Sequence, residues 1–188
     1  TGLDAVGNST KAITKGMAIA TAVIAATSLF GSFAEAVLLA LGREGIEFPI
    51  RVDRPNVLVG LLIGGSVAFL FCSLAIRAVG RAASQVVVEV RKQFREHPGI
   101  MTYEEKPDYA RVVDICTRTS LRELLTPGLL AVLSPIIAGF ALGAEALGAF
   151  LAGAILTGQL LAVMLSNSGG AWDNAKKYIE EGHYGGKG

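Results

Sequence analysis

The stretch Val57-Leu58-Val59-Gly60-Leu61-Leu62-Ile63-Gly64-Gly65-Ser66-Val67-Ala68-Phe69-Leu70-Phe71-Cys72-Ser73-Leu74-Ala75-Ile76 runs for 20 residues without a charge. A helix of about 20 residues, at 1.5 Å per residue, crosses the roughly 30 Å hydrocarbon core of a bilayer. Three more stretches meet this requirement: Met17–Leu41, with Glu35 its one charge, Leu124–Gly143 and Ala146–Leu165. Composition agrees. The 188 residues are 52% hydrophobic and only 18% charged, where soluble domains run near a quarter charged; mean hydropathy is +0.51. The reading is an all-α membrane protein with four transmembrane helices. Gly64-Gly65-Ser66 and the pair Gly148 and Gly153 are expected points of close helix contact, because small residues let helix backbones approach.

Several helices extend past their apolar segments. After Ile76, the residues Val79, Ala82, Ala83, Val86, Val87 and Val90 recur at helical spacing, with Arg77, Arg81, Arg91 and Lys92 on other faces. His97-Pro98-Gly99 stops that helix. Lys106-Pro107-Asp108-Tyr109 opens the next, with Pro107 suited to a first turn, and its polar part runs to Glu123. Residues 77–123 thus form a polar two-helix projection. This projection and the tail with Lys176, Lys177 and Lys187 are more basic than the 43–54 loop, where Arg43, Arg51 and Arg54 are balanced by Glu44, Glu47 and Asp53. The positive-inside rule then puts residues 1–16, 77–123 and 171–188 in the cytoplasm. A net charge of +1 gives no general attraction to nucleic acid. Cys72 and Cys116 show no ligand or disulfide spacing and read as small apolar residues. The chain opens on Thr1 and closes on Gly185-Gly186-Lys187-Gly188, which reads as a piece of something longer.

Polar residues cluster at the helix ends assigned to the cytoplasm. Asp4, Asn8, Lys11 and Lys15 share one helix face. Spacing alone allows two readings: a solvated border where lysines snorkel, or a wall of acid, amide and ammonium groups suited to metal and phosphate oxygens. Asn167, Gly170, Asp173 (or Asn174) and either Lys176 or Lys177 form a second stripe. Glu35 is a lone acid within a span and calls for a partner or an exposed, snorkelling position. Gln159 and Ser134 suit interhelical hydrogen bonds. No P-loop, nucleophile elbow or zinc spacing occurs.

Three segments resemble the membrane-bound, ion-pumping inorganic pyrophosphatases. They are Leu3-Asp4-Ala5-Val6-Gly7-Asn8-Ser9-Thr10 with Lys15–Ile19, Val90–Ile100 with Lys106–Arg111, and Asn167-Ser168-Gly169-Gly170-Ala171-Trp172-Asp173-Asn174-Ala175-Lys176-Lys177-Tyr178-Ile179-Glu180. The resemblance implies a sixteen-helix, homodimeric protein in which this chain corresponds to helices twelve to fifteen, with a cytoplasmic site for magnesium pyrophosphate. By the same resemblance, Asn8 and Asp173 help bind the Mg2+ complex, while Lys176 and Lys15 are cations at the substrate. Lys11 and Thr14 match positions that separate potassium-dependent from potassium-independent members. The ammonium of Lys11 stands where the former hold a potassium ion, which implies a potassium-independent pump that moves protons rather than sodium. The family's aspartate-rich segments and its Gly-Asp-Thr-Val-Gly-Asp-Pro segment are absent from these 188 residues. The isolated chain is therefore expected to be inactive. No catalytic residue is assigned within it. The rival readings are a non-catalytic four-helix assembly module and a secondary-transporter fragment, the latter disfavoured because the polar groups sit at helix ends rather than mid-membrane.

Overall fold

The computed structural model describes residues 2–43 and 45–186; Glu44 and Lys187, counted above in the charge balance, lie outside the described residues, as does the side chain of Asp4. Among the described residues the fold is all-α. The long helices are α1 (Gly2–Ala40), α2 (Pro55–Glu96), α3 (Tyr109–Glu123), α4 (Leu125–Leu142) and α5 (Ala144–Glu180), with short 3-10 turns at Pro98–Ile100 and His183–Gly185. Among the described residues, four helical stretches are long and apolar enough to cross a membrane. Several of their hydroxyls are satisfied within the helices, as when Thr21 donates to the Met17 carbonyl at 3.0 Å and Ser66 to that of Leu62 at 2.7 Å. That makes polar residues tolerable in an apolar span.

The chain divides into two compact units, one of Thr1–Phe69 with Ile137–Gly188, the other of Leu70–Ile136. In the first unit α1 and α5 run antiparallel. Asn8 meets Asp173 at one end, and the Phe33 ring lies beside Gly148 at the other. The first part of α2 packs parallel to α5 through glycine. A Cβ on Gly60 or Gly64 would strike the backbone carbonyl of Ala146 or Phe150, and one on Gly153 that of Leu61. The expected close contacts at Gly64 and Gly153 are therefore real, and Gly60 joins them. Gly148 instead receives the side chains of Ile50 and Phe48 from the connection between α1 and α2. Arg54 holds that connection to Glu145 in the first turn of α5, at 2.6 Å. Helices α4 and α5 are joined through Gly143 alone, whose φ of 89° is open to glycine at little steric cost.

In the second unit the distal part of α2 packs antiparallel to α3. Four residues spaced one turn apart on α2 each find a partner there. Arg81 pairs with Glu123, and Gln85 accepts from the Thr119 hydroxyl at 2.9 Å. Glu89 pairs with Arg111 at 2.8 Å. Buried Gln93 donates to the Asp108 carbonyl at 3.2 Å and accepts its N–H at 3.0 Å. Asp108 in turn caps α3 by accepting from the Arg111 N–H at 3.0 Å. Pro107 thus precedes the cap instead of occupying the first turn, because the Asp108 carboxylate supplies the acceptor that the α3 N-terminus needs. Helices α3 and α4 meet at Leu124, which keeps helical backbone angles. Three residues on, Pro127 has no N–H to donate to the Glu123 carbonyl.

Candidate functional site

The polar ends of α1 and α5 converge. The first turns of α1 remain helical well before the apolar span, and the last turns of α5 continue well beyond Leu165. Gly170 allows the approach: a Cβ there would lie 3.8 Å from Ala12 Cβ and 4.0 Å from the Asn8 carbonyl. One turn on, the Asn8 amide nitrogen donates to Asp173 Oδ2 at 2.5 Å and to Asn174 Oδ1 at 3.1 Å. Asn8 is buried in this junction while its neighbours Ser9, Thr10 and Lys11 are exposed. Lys177, one turn further along α5, places its ammonium 3.2 Å from the same Asp173 oxygen.

Two consequences follow for the chemistry. The Asn8 amide and then the Lys177 ammonium favour the charged form of Asp173, so its carboxyl titrates below the ordinary carboxylate range. Lying beyond the apolar segment of α5, it is ionised at neutral pH. Moreover, both donors use Oδ2. Among the described residues, Oδ1 of Asp173 and the side-chain oxygen of Asn8 take no hydrogen bond.

A hard divalent cation such as Mg2+ takes oxygen ligands in octahedral array. One carboxylate oxygen and one amide oxygen fit two such positions. No group of three His, Cys, Asp or Glu side chains able to hold a metal occurs among the described residues. The remaining positions must be filled by water, by substrate oxygens or by other protein groups.

The remaining site residues read from the sequence sit differently. Lys176 is 67% exposed and lies 3.8 Å from Glu180, and acts on Asp173 only through its charge, the smallest of the causes that lower its titration. Of the alternatives left open by the helical stripe, the ion pair with Asp173, one turn back on the same helix, falls to Lys177. Lys11 and Lys15 are exposed on α1, with no ion pair to another described residue. Thr14 is exposed too, its hydroxyl donating to the Thr10 carbonyl at 2.8 Å. The bond from Asn8 to Asn174 was not foreseen. Adjacent residues on a helix point about 100° apart, and only the closeness of α1 lets one amide reach both.

Ser134, expected to bond between helices, has a buried hydroxyl without a partner among the described residues, as has Ser166. Glu35 is exposed on its helix.

With this geometry in view, the likeness to known proteins is extensive. The chain is 62% identical over 197 residues to the K(+)-insensitive pyrophosphate-energized proton pump of Streptomyces avermitilis, covering 100% of this chain and 25% of that protein. The like-named pump of Streptomyces coelicolor is also 62% identical over the same shares. That of Chloroflexus aurantiacus is 61% identical over 98% of this chain and 25% of its own length. The chain thus spans about a quarter of each relative. A family model described as inorganic H+ pyrophosphatase matches residues 1–188, and the chain belongs to that family.

Proposed function

We propose that this chain forms one wall of the magnesium pyrophosphate site in a proton-translocating membrane pyrophosphatase of the potassium-independent type. The observation that carries the reading is the Asn8–Asp173 junction. It sets the Asn8 side-chain amide against the Asp173 carboxylate at one end of two apolar helices, with the Lys177 ammonium on the same carboxylate oxygen. The names of the relatives point the same way.

In this reading Asp173 and Asn8 hold Mg2+ together with ligands from the rest of the pump. When bound, the metal neutralises phosphate charge and lowers the barrier to attack by water. Lys176 and Lys15 offset charge on the phosphates, their exposure here leaving them free to turn toward substrate. Water attacks the phosphorus directly, without a phosphoenzyme. Hydrolysis is coupled to proton movement out of the cytosol, and the catalytic helix ends face the cytosol. The complete protein works as a homodimer in a bacterial, archaeal or acidic-organelle membrane. Lys11, beside Thr14, supplies the charge that potassium supplies elsewhere in the family.

The test is Asp173→Asn in the full-length pump. Losing the charged ligand is expected to reduce magnesium-dependent pyrophosphate hydrolysis about a hundredfold and to raise the Mg2+ concentration needed. Near-normal hydrolysis at unchanged Mg2+ demand would sink the assignment. The non-catalytic assembly reading predicts that outcome.

A further inference from the structure

We infer that Lys177 is the resident counter-cation of Asp173, standing in for the divalent metal until it binds; this rests on the reading of Asp173 as a metal ligand. Lys177 is placed for the role. Its side chain is only 14% exposed, against 67% for adjacent Lys176. Its ammonium lies 3.2 Å from Asp173 Oδ2. The Asn8 amide shares that oxygen, and among the described residues Oδ1 takes no hydrogen bond. A carboxylate with ordinary lone pairs accepts at both oxygens, and one can hold a cation while the other is held by donors.

A metal on Oδ1 then shares a single negative charge with an ammonium a few ångströms away. Like charges at that distance repel, so the metal and the Lys177–Asp173 pair oppose each other. Metal arrival weakens the hold of Asp173 on Lys177.

The experiment is Mn2+ titration of the detergent-purified full-length pump without pyrophosphate, with free Mn2+ read by electron paramagnetic resonance. Lys177→Met is expected to bind Mn2+ about tenfold more tightly, because a competing unit charge is gone. Lys177→Arg, which keeps the charge, is expected to retain the wild-type midpoint. Lys177→Gln is read as the methionine variant is, should the latter fail to assemble. Asp173→Asn is the internal standard and should weaken binding. Unchanged or weaker binding in the neutral variants, with Asp173→Asn weakened, overturns the counter-cation role and spares the metal site. Tighter binding in Lys177→Arg overturns it equally. No effect of Asp173→Asn removes the reading beneath it.

Discussion

Asn8 and Asp173 are 165 residues apart in the chain, and one hydrogen bond joins them, amide nitrogen to carboxylate oxygen. That bond closes the first turns of α1 onto the last turns of α5. The bond uses the amide nitrogen of Asn8, and among the described residues its side-chain oxygen takes no hydrogen bond.

Replacing Asn8 by leucine should therefore do two things. It removes the amide from a buried position and leaves Asp173 with one fewer donor, a change expected to cost about 1–3 kcal/mol of stability. It also deletes a proposed metal oxygen. In the full-length pump, half-maximal hydrolysis should need several times more Mg2+, while Asn8→Ser, smaller and still polar, should fall between. Equal Mg2+ demand in all three proteins would separate Asn8 from the metal.

Lys11→Ala tests the potassium reading. With the ammonium gone, hydrolysis by the full-length pump should fall in potassium-free buffer and recover as potassium is added. Activity that is high without potassium and indifferent to it would remove Lys11 from this role.

Helix packing in the first unit is tested at Gly64. A Cβ there would collide with the Phe150 carbonyl, a backbone atom with little room to yield. Gly64→Val should separate α2 from α5, seen as lower yield of folded protein and a lower melting temperature. Gly80→Ala, on the same helix with nothing near its Cβ position, should be neutral or slightly stabilising.

In the second unit, Gln93 grips both backbone groups of Asp108. Gln93→Leu leaves that N–H and carbonyl without their partner and should cost about 1–3 kcal/mol. Amide hydrogen exchange at Asp108 is the direct readout: it should speed up markedly, while amides in the apolar part of α2 should not change.

Residues 1–188 expressed alone should show no magnesium-dependent pyrophosphate hydrolysis. They bring one carboxylate and one amide to the site, and among the described residues no group of three metal-ligating side chains exists. Measurable turnover by the purified segment would mean that the ligand set is more complete than these contacts imply.

The apolar lengths determined the four spans, because hydrocarbon thickness sets a minimum that few soluble helices meet without charge. The polar runs after Ile76 and Leu165 likewise declared that the helices continue beyond them. The local order of residues around Asn8 and Asp173 was distinctive enough to mark the family. What the sequence left open was rotation. A helical stripe drifts, so Lys176 and Lys177 both fit the Asp173 face until Gly170 seats α5 against Ala12 and turns Lys177 inward. The ladder from Arg81 through Gln85 and Glu89 to Gln93 was hidden for a related reason. Its spacing marks a face of α2, but the partners on α3 run in the opposite direction and only an antiparallel hairpin pairs them. Tertiary packing decided which side chains meet because it alone specifies how each helix is turned about its own axis.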